Sequence, residues 1–325
     1  MPTNRIIMGF DVGGTKTACV IVDETGRILG KGFGGSGNTN FIPLEIANRS
    51  FTDAIESARK MAGIEKLQVE CIAVGTEPDP APVAPVIFGL TGCTRIVHKK
   101  EGECSMVGGL VSKVGLSLIC GTGSVGWGRN AQGETSMTSC WGPIGDEGSA
   151  YDLARRGVNA AFWAWDGRGP KTVLVDMLLE MFGQTDLRDV CTPLYTSENL
   201  RKDFASLAQL VTKAADMNDA VALQVMRDGA VQIAHFLTSC AKNLGMTEYL
   251  VASSNSGLVT GSDYRYFTMI REELQKVHPQ AELVKPRFEP VVGAGLIALD
   301  LIGVEWTDAV IRNIEQSWEQ SPVSA

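Results

Sequence analysis

Residues 6–22 read Ile6-Ile7-Met8-Gly9-Phe10-Asp11-Val12-Gly13-Gly14-Thr15-Lys16-Thr17-Ala18-Cys19-Val20-Ile21-Val22. Apolar runs of strand length flank the stretch from Asp11 to Thr17, which predicts strand, tight turn, strand. An acidic residue at the end of the first strand, two glycines that let backbone amides approach a ligand, and two hydroxyls around a lysine suit a turn that faces phosphate. A Gly-Gly hairpin that serves only as a turn shows the same local pattern. A second unit tips the balance. Leu116 to Cys120 is apolar, Gly121-Thr122-Gly123-Ser124 follows, and Val125 to Arg129 resumes as a strand. Two such units in the two halves of one chain predict two related lobes, each offering amides and hydroxyls to the phosphates of one nucleotide.

Residues 121–126 also fit G-x-G-x-x-G, the dinucleotide-binding fingerprint. That fingerprint needs a helix directly after the glycines. Here the chain continues Val125-Gly126-Trp127-Gly128-Arg129, too rich in glycine for a helix and alternating like a strand, so the match is accidental.

Strand-like segments fall at 5–10, 18–23, 70–75, 94–98, 115–120, 125–129, 248–253 and 281–285. Residues 43–62 are helical, with Ala47, Phe51, Ile55, Ala58 and Ala62 on one face. Residues 204–244 form a longer helical stretch with Leu207, Leu210, Val225, Ile233, Phe236 and Leu237 as its apolar stripe. Strands alternating with helices around both glycine hairpins predict an α/β fold.

The 325 residues suffice for two domains, and 44% hydrophobic residues supply two cores. A formal charge of −8 argues against nucleic acid or an anionic membrane as the main partner. No run of eighteen apolar residues occurs, and the opening Met-Pro-Thr-Asn-Arg leads into a strand rather than a signal peptide, so a cytoplasmic enzyme is expected. The eight cysteines never occur as C-x-x-C, and most sit in apolar company, which suits reduced core thiols. The three histidines are isolated and form no metal-binding pattern.

DVGGTKT at 11–17, CGTGSVGWG at 120–128 and WGPIGDEGSAYDLAR at 141–155 resemble the N-acetylglucosamine kinases, within the family that includes the BadF and BcrA type ATPases. That family belongs to the actin-like ATPase and sugar-kinase superfamily. The third motif is the most specific. A weaker likeness runs on through Ser256-Gly257-Leu258-Val259 and Pro290-Val291-Val292-Gly293-Ala294-Gly295, so the resemblance spans nearly the whole chain. It implies two ribonuclease-H-like lobes, at 1–110 and 111–303, with an interdomain cleft for nucleotide and sugar. Residues 304–325 would form a C-terminal helix returning to the N-terminal lobe.

The resemblance also implies ATP and Mg²⁺ as cofactors and assigns roles. Asp11 would hold Mg²⁺. Gly13, Gly14, Thr15, Lys16 and Thr17 would line the β- and γ-phosphates, and Gly121, Thr122 and Gly123 would close on the same phosphates from the second lobe. Asn38 in GGSGNTNF, with Asn40 one register away, would bind the sugar, as would Ser124, Trp141, Gly142, Asp146 and Glu147. Carboxylates such as Asp146 and Glu147 also favour a helix N-terminus for capping alone. Ser256, Gly257 and Gly293 are the candidates for the purine.

Phosphoryl transfer also needs a carboxylate to take the hydroxyl proton. Relatives carry an aspartate after the strand that precedes a small-residue helix. Here that register falls on Glu101, whose extra methylene moves the oxygens by about 1.5 Å. Glu103 is the alternative base, and the adjacent Lys99 and Lys100 would keep a carboxylate ionised. The implied activity is transfer of the γ-phosphoryl group to the 6-hydroxyl of an amino sugar, with a small-molecule sugar as partner and a homodimer as the expected assembly. The alternatives are an ATPase acting on a protein partner and a sugar- or nucleotide-binding homologue with weakened catalysis.

Overall fold

The computed structural model describes residues 5–196 and 200–320. Its strands are β1 (Ile6–Val12), β2 (Thr17–Asp23), β3 (Ile28–Gly34), β4 (Cys71–Gly75), β5 (Ile96–Lys99), β6 (Gly115–Cys120), β7 (Ser124–Arg129), β8 (Thr135–Ser139), β9 (Tyr249–Ala252) and β10 (Ala281–Val284). The helices are α1 (Leu44–Ala62), α2 (Ala84–Thr91), α3 (Glu101–Leu110), α4 (Ala150–Trp165), α5 (Leu174–Phe182), α6 (Cys191–Tyr195), α7 (Leu200–Ser206), α8 (Ala208–Asp216), α9 (Ala220–Asn243), α10 (Gly257–Val277), α11 (Pro290–Leu301) and α12 (Asp308–Gln320). The helical stretch expected over 204–244 is thus divided among α7, α8 and α9. Helix α10 is interrupted by non-helical backbone at residues 261–264.

The chain forms two compact units, one built on the chain up to Lys113 together with the chain from Arg287 onward, the other on Val114–Pro286. Each unit holds one five-stranded sheet, ordered β3-β2-β1-β4-β5 in the first and β10-β9-β6-β7-β8 in the second. Read from their first strands, the two sheets are the same. β1 pairs antiparallel with β2 and parallel with β4, and β6 pairs antiparallel with β7 and parallel with β9. Strands at the centre of a sheet covered on both faces read as unbroken apolar runs. That is why the buried β1, β2 and β4 were visible in the sequence.

Two strands carry no such signal. β8, Thr135-Ser136-Met137-Thr138-Ser139, is a polar strand at the edge of its sheet. β3 hides behind its glycines. Gly30, Gly32 and Gly34 lie on one face of the strand, and a Cβ on each would overlap the carbonyl of Ala58, Ala54 and Ser50 respectively. These three residues repeat every fourth position along α1, so the helix lies on the strand backbone to backbone. Phe51 on the same helix meets Phe10 of β1 with ring centroids 5.3 Å apart.

The return of the chain at Arg287 comes earlier than the expected residue 304, and the reason is packing. Helix α11 is apolar all round and buried along most of its length, as a helix enclosed on every side must be. It lies on β1 where a Cβ on Gly9 would overlap the Gly295 amide, and on α3 where a Cβ on Gly293 would overlap the Cys104 carbonyl. Helix α12 then covers the β3 edge. The Ser317 hydroxyl accepts from the Ile28 amide at 2.9 Å, and Lys31 Nζ donates to the Trp318 carbonyl at 2.6 Å while sitting 3.4 Å from the centre of its indole.

Backbone contact of this kind leaves no room for a methyl group. Gly32→Ala is expected to cost about 3 kcal/mol in denaturant unfolding, whereas Gly89→Ala, on an exposed part of α2 with open space around it, is expected to gain up to about 1 kcal/mol. Equal effects at the two positions would contradict the packing.

Candidate active site

In the first unit the hairpin between β1 and β2 is closed by the Gly13 amide donating to the Lys16 carbonyl at 2.9 Å. Gly14, Thr15 and Lys16 are exposed at its tip. Neither Gly13 nor Gly14 takes a positive φ, so the pair is needed for bare backbone at the tip and not for the turn conformation. Thr17 departs from its expected role. It is fully buried, and its hydroxyl, which has no hydrogen-bond partner, lies against Gly37, where a Cβ would overlap it. The side chain faces the loop after β3 and not the tip of the hairpin.

That loop carries the expected sugar asparagines. Asn38 is buried, and its Oδ1 accepts from the Asn40 amide at 3.0 Å while its carbonyl accepts from Phe41. Asn40 therefore serves through its backbone, shaping a turn around Asn38. The Ser36 hydroxyl reaches the Gly13 carbonyl at 3.5 Å, so loop and hairpin adjoin.

Asp11 lies near the end of β1, opposite Gly75 of β4. Glu101 is the first residue of α3, and burial is the main cause that pushes its carboxyl up to about 8, with the charges of Asp11 and Glu77 adding to it. Asp11 is raised to about 6 by burial, a shift opposed by Lys16 and increased by Glu289. The two neighbouring lysines do not hold Glu101 ionised as expected. Lys99 Nζ bonds Glu103 Oε1 at 3.2 Å, and Lys100 Nζ reaches Glu77 at 3.4 Å. This division also separates the two candidate bases. Glu103 is buried against Lys99, while Glu101 interacts with Asp11. Glu77 and Glu289 join the cluster without any motif to announce them, and Glu289 is the N-cap of α11.

Among the described residues, no group of three or more His, Cys, Asp or Glu side chains is placed to hold a metal ion. Mg²⁺ needs less, since it commonly takes one or two carboxylates and completes its shell with phosphate oxygens and water. Asp11, flanked by like charges that a divalent cation would offset, fits that donor set.

In the second unit the hairpin between β6 and β7 is closed by the Gly121 amide donating to the Gly123 carbonyl at 2.9 Å. Helix α4 starts against it. The Ala150 amide donates to the Gly121 carbonyl at 2.8 Å and the Tyr151 amide to the Thr122 carbonyl at 3.4 Å. The sixteen-residue helix thus has its positive end at the hairpin, a favourable setting for an anion. Its N-cap is Ser149, whose hydroxyl accepts from the Asp152 amide. Capping therefore does not account for Asp146 or Glu147.

Asp146 is buried and accepts at both oxygens, from the Gly142 amide at 2.9 Å and from Arg201 Nη2 at 2.9 Å. Burial raises its carboxyl, and Arg201 and the loop amides oppose the shift. Gly123 touches this pair, since a Cβ there would overlap Asp146 Oδ2. Ser124 is a strut: buried, its hydroxyl donates to the Glu147 carbonyl at 2.8 Å. Trp141 is 76% exposed on the same loop. Ser139 and Cys140 hold left-handed φ values of 65° and 69°, a conformation that costs side-chain-bearing residues energy and marks functional loops. Arg201 had no signal in the sequence, because α7 carries no motif.

The purine candidates divide. The Ser256 hydroxyl donates to the Cys120 carbonyl at the base of the second hairpin, and Gly257 opens α10 with free space around it. Gly293 is a correction. It is buried where α11 meets α3, so it serves helix packing and offers no surface to a base.

Six of the eight cysteines are buried, and Cys140 is exposed on the loop before Trp141. No helix among the described residues is long and apolar enough to cross a membrane.

Two sheets of one strand order, each opening a glycine–threonine hairpin after its first strand, define the actin-like ATPase and sugar-kinase fold. The chain matches the BadF/BadG/BcrA/BcrD ATPase family over residues 8–298 and belongs to it. It is 27% identical to the N-acetylmuramic acid/N-acetylglucosamine kinase of Clostridium acetobutylicum, over 90% of this chain and 98% of that one. It is 26% identical to the N-acetyl-D-glucosamine kinase of Dictyostelium discoideum, over 92% and 99%. A Chromobacterium violaceum structure provisionally named N-acetylglucosamine kinase superposes with a TM-score of 0.72 at 23% identity, over 92% of this chain and 100% of that one.

Two tests follow from this geometry. Thr15→Val is expected to weaken nucleotide binding by about tenfold, the size of one hydrogen bond to a charged group, while Thr17→Val leaves it within about twofold. Titration calorimetry with Mg-ATP decides. The second test concerns pH. A carboxyl raised in the folded state binds its proton more tightly there than in the unfolded chain, so stability falls as pH climbs from the ordinary glutamate range through about 8. Glu101→Gln is therefore expected to raise the thermal midpoint at pH 9 by about 2–4 °C and by less at pH 5. A gain confined to acid pH would contradict the placement of Glu101 beside Asp11.

Proposed function

We propose that the protein is an ATP-dependent amino-sugar kinase of the N-acetylglucosamine or glucosamine class that phosphorylates the sugar 6-hydroxyl. The observation that carries this reading is the placement of Glu101 at the start of α3 beside Asp11 at the end of β1, a carboxylate pair whose environments hold both above the usual range. Groups displaced from their ordinary titration in this way are candidates for proton transfer. Two relatives whose names include N-acetylglucosamine kinase support the substrate class.

In this reading Asn38 of the first unit suits donating to and accepting from sugar hydroxyls, and Asp146 of the second suits accepting from one. Glu101 takes the proton of the attacking hydroxyl as its oxygen bonds to the γ-phosphorus, and the bond to the β-bridging oxygen breaks to release ADP. The exposed tip Gly14-Thr15-Lys16 of the first unit offers phosphate its amides, a hydroxyl and one ammonium, and in the second unit the hairpin 121–123 offers backbone to phosphate likewise. Asp11 would hold Mg²⁺, which when bound neutralises phosphate charge. The α4 N-terminus adds its positive end.

ADP formation measured with Mg-ATP and N-acetylglucosamine, glucosamine, N-acetylmuramic acid, glucose or no sugar tests the proposal. Sugar-dependent turnover is expected, reduced by about 10²–10⁴ in Glu101→Gln and with Glu103→Gln retaining far more. Hydrolysis that is indifferent to sugar would favour an ATPase acting on a protein partner. ATP binding without turnover would favour a homologue with weakened catalysis.

A further inference from the structure

Arg201 is brought to the second hairpin from α7, a short helix in the segment between α4 and α9. Its Nη2 donates to Asp146 Oδ2 at 2.9 Å, and that carboxylate's other oxygen accepts from the Gly142 amide at 2.9 Å. One carboxylate thus joins α7 to the turn at residues 142–146. The pair is seated on the hairpin, since a Cβ on Gly123 would overlap Asp146 Oδ2 and lie 2.8 Å from Arg201 Nη2. Arg201 Nε is buried with no partner, so the guanidinium pays for its place with a donor left unused. A surface ion pair would not incur that cost.

We propose that Arg201 is the positioning residue of the acceptor loop, holding Asp146 against hairpin 121–123 in the orientation that receives a sugar hydroxyl. The inference rests on the amino-sugar reading for the identity of the ligand, while the positioning itself is independent of it. Of the charged groups around Asp146, Arg201 on α7 is the cation, and Glu147 on its own loop acts against the ionised form, together with burial. Without the guanidinium the buried carboxylate would keep only the loop amides, and loss of one partner leaves the other buried and unpaired. The turn at 142–146 would then lose this tie to α7, its carboxylate held by the loop amides alone.

The test compares Arg201→Met with the wild type, and Arg201→Lys serves if the methionine variant does not fold. Hydrogen exchange across residues 141–147 reads positioning with no substrate present. An increase of about tenfold is expected in the variant, confined to this loop, and unchanged exchange would overturn the inference. Steady-state kinetics read the consequence. The KM for N-acetylglucosamine is expected to rise by about tenfold or more, with the KM for ATP within about twofold. Equal changes in both constants, or no change in either, would overturn a positioning role toward the sugar. Wild-type enzyme that phosphorylates none of the amino sugars would refute the kinase reading and leave the exchange result to decide the role of Arg201 in the loop.

Discussion

Contact of backbone against backbone, permitted by glycine, is the constraint on which the first unit depends. Gly9 lets α11 lie on the central strand, Gly293 and Gly108 let α11 and α3 close on one another, and Gly30, Gly32 and Gly34 let α1 lie on β3. The consequence is chemical as well as mechanical. β1, α3 and α11 each bring a carboxylate to one place, as Asp11 near a strand end, Glu101 at a helix start and Glu289 at a helix cap. Wider spacing of these elements would lessen the burial that chiefly raises Asp11 and Glu101 and dilute the like-charge interaction that adds to it. Close packing of the core therefore sets the electrostatics of the site.

The two units solve the problem of buried charge differently. In the first, carboxylates are crowded and held above their ordinary range, a state that favours a bound cation, whose charge would in turn ease Glu101 toward the ionised form that can take a proton. In the second, the buried carboxylate Asp146 has its own cation in Arg201 and two loop amides, so it can remain an acceptor. The shared strand order makes this contrast informative. In the proposed reading one topology would serve proton transfer in one copy, through Glu101 at the start of α3, and hydroxyl recognition in the other, through Asp146 in the turn before α4.

Most of the fold was legible because the central strands are continuous apolar runs and the hairpins are rich in glycine. β3 was not, since a strand with glycine at every second position looks like a loop until the helix that requires those glycines is in place. β8 was not, since an edge strand needs no apolar face. Site residues followed the same logic. Asp11, Asn38 and Asp146 stand in local motifs and Glu101 follows from register, so the sequence alone offers them as candidates. Arg201, Glu77 and Glu289 act through neighbours distant in sequence, so no spacing revealed them. Thr17 and Gly293 were misassigned because a motif gives the residue and not the direction it faces. Thr17 turns its hydroxyl to Gly37, and Gly293 meets Cys104.

Proton-coupled phosphorus NMR of the reaction of this protein with Mg-ATP and N-acetylglucosamine tests the central claim most directly, because it identifies the bond that forms. The expected result is loss of the γ-phosphate signal matched by a phosphomonoester resonance split by the two protons of a methylene group, the pattern of a phosphate on a primary hydroxyl. Conversion of the γ-phosphate to inorganic phosphate alone, at the same rate with and without sugar, would contradict it.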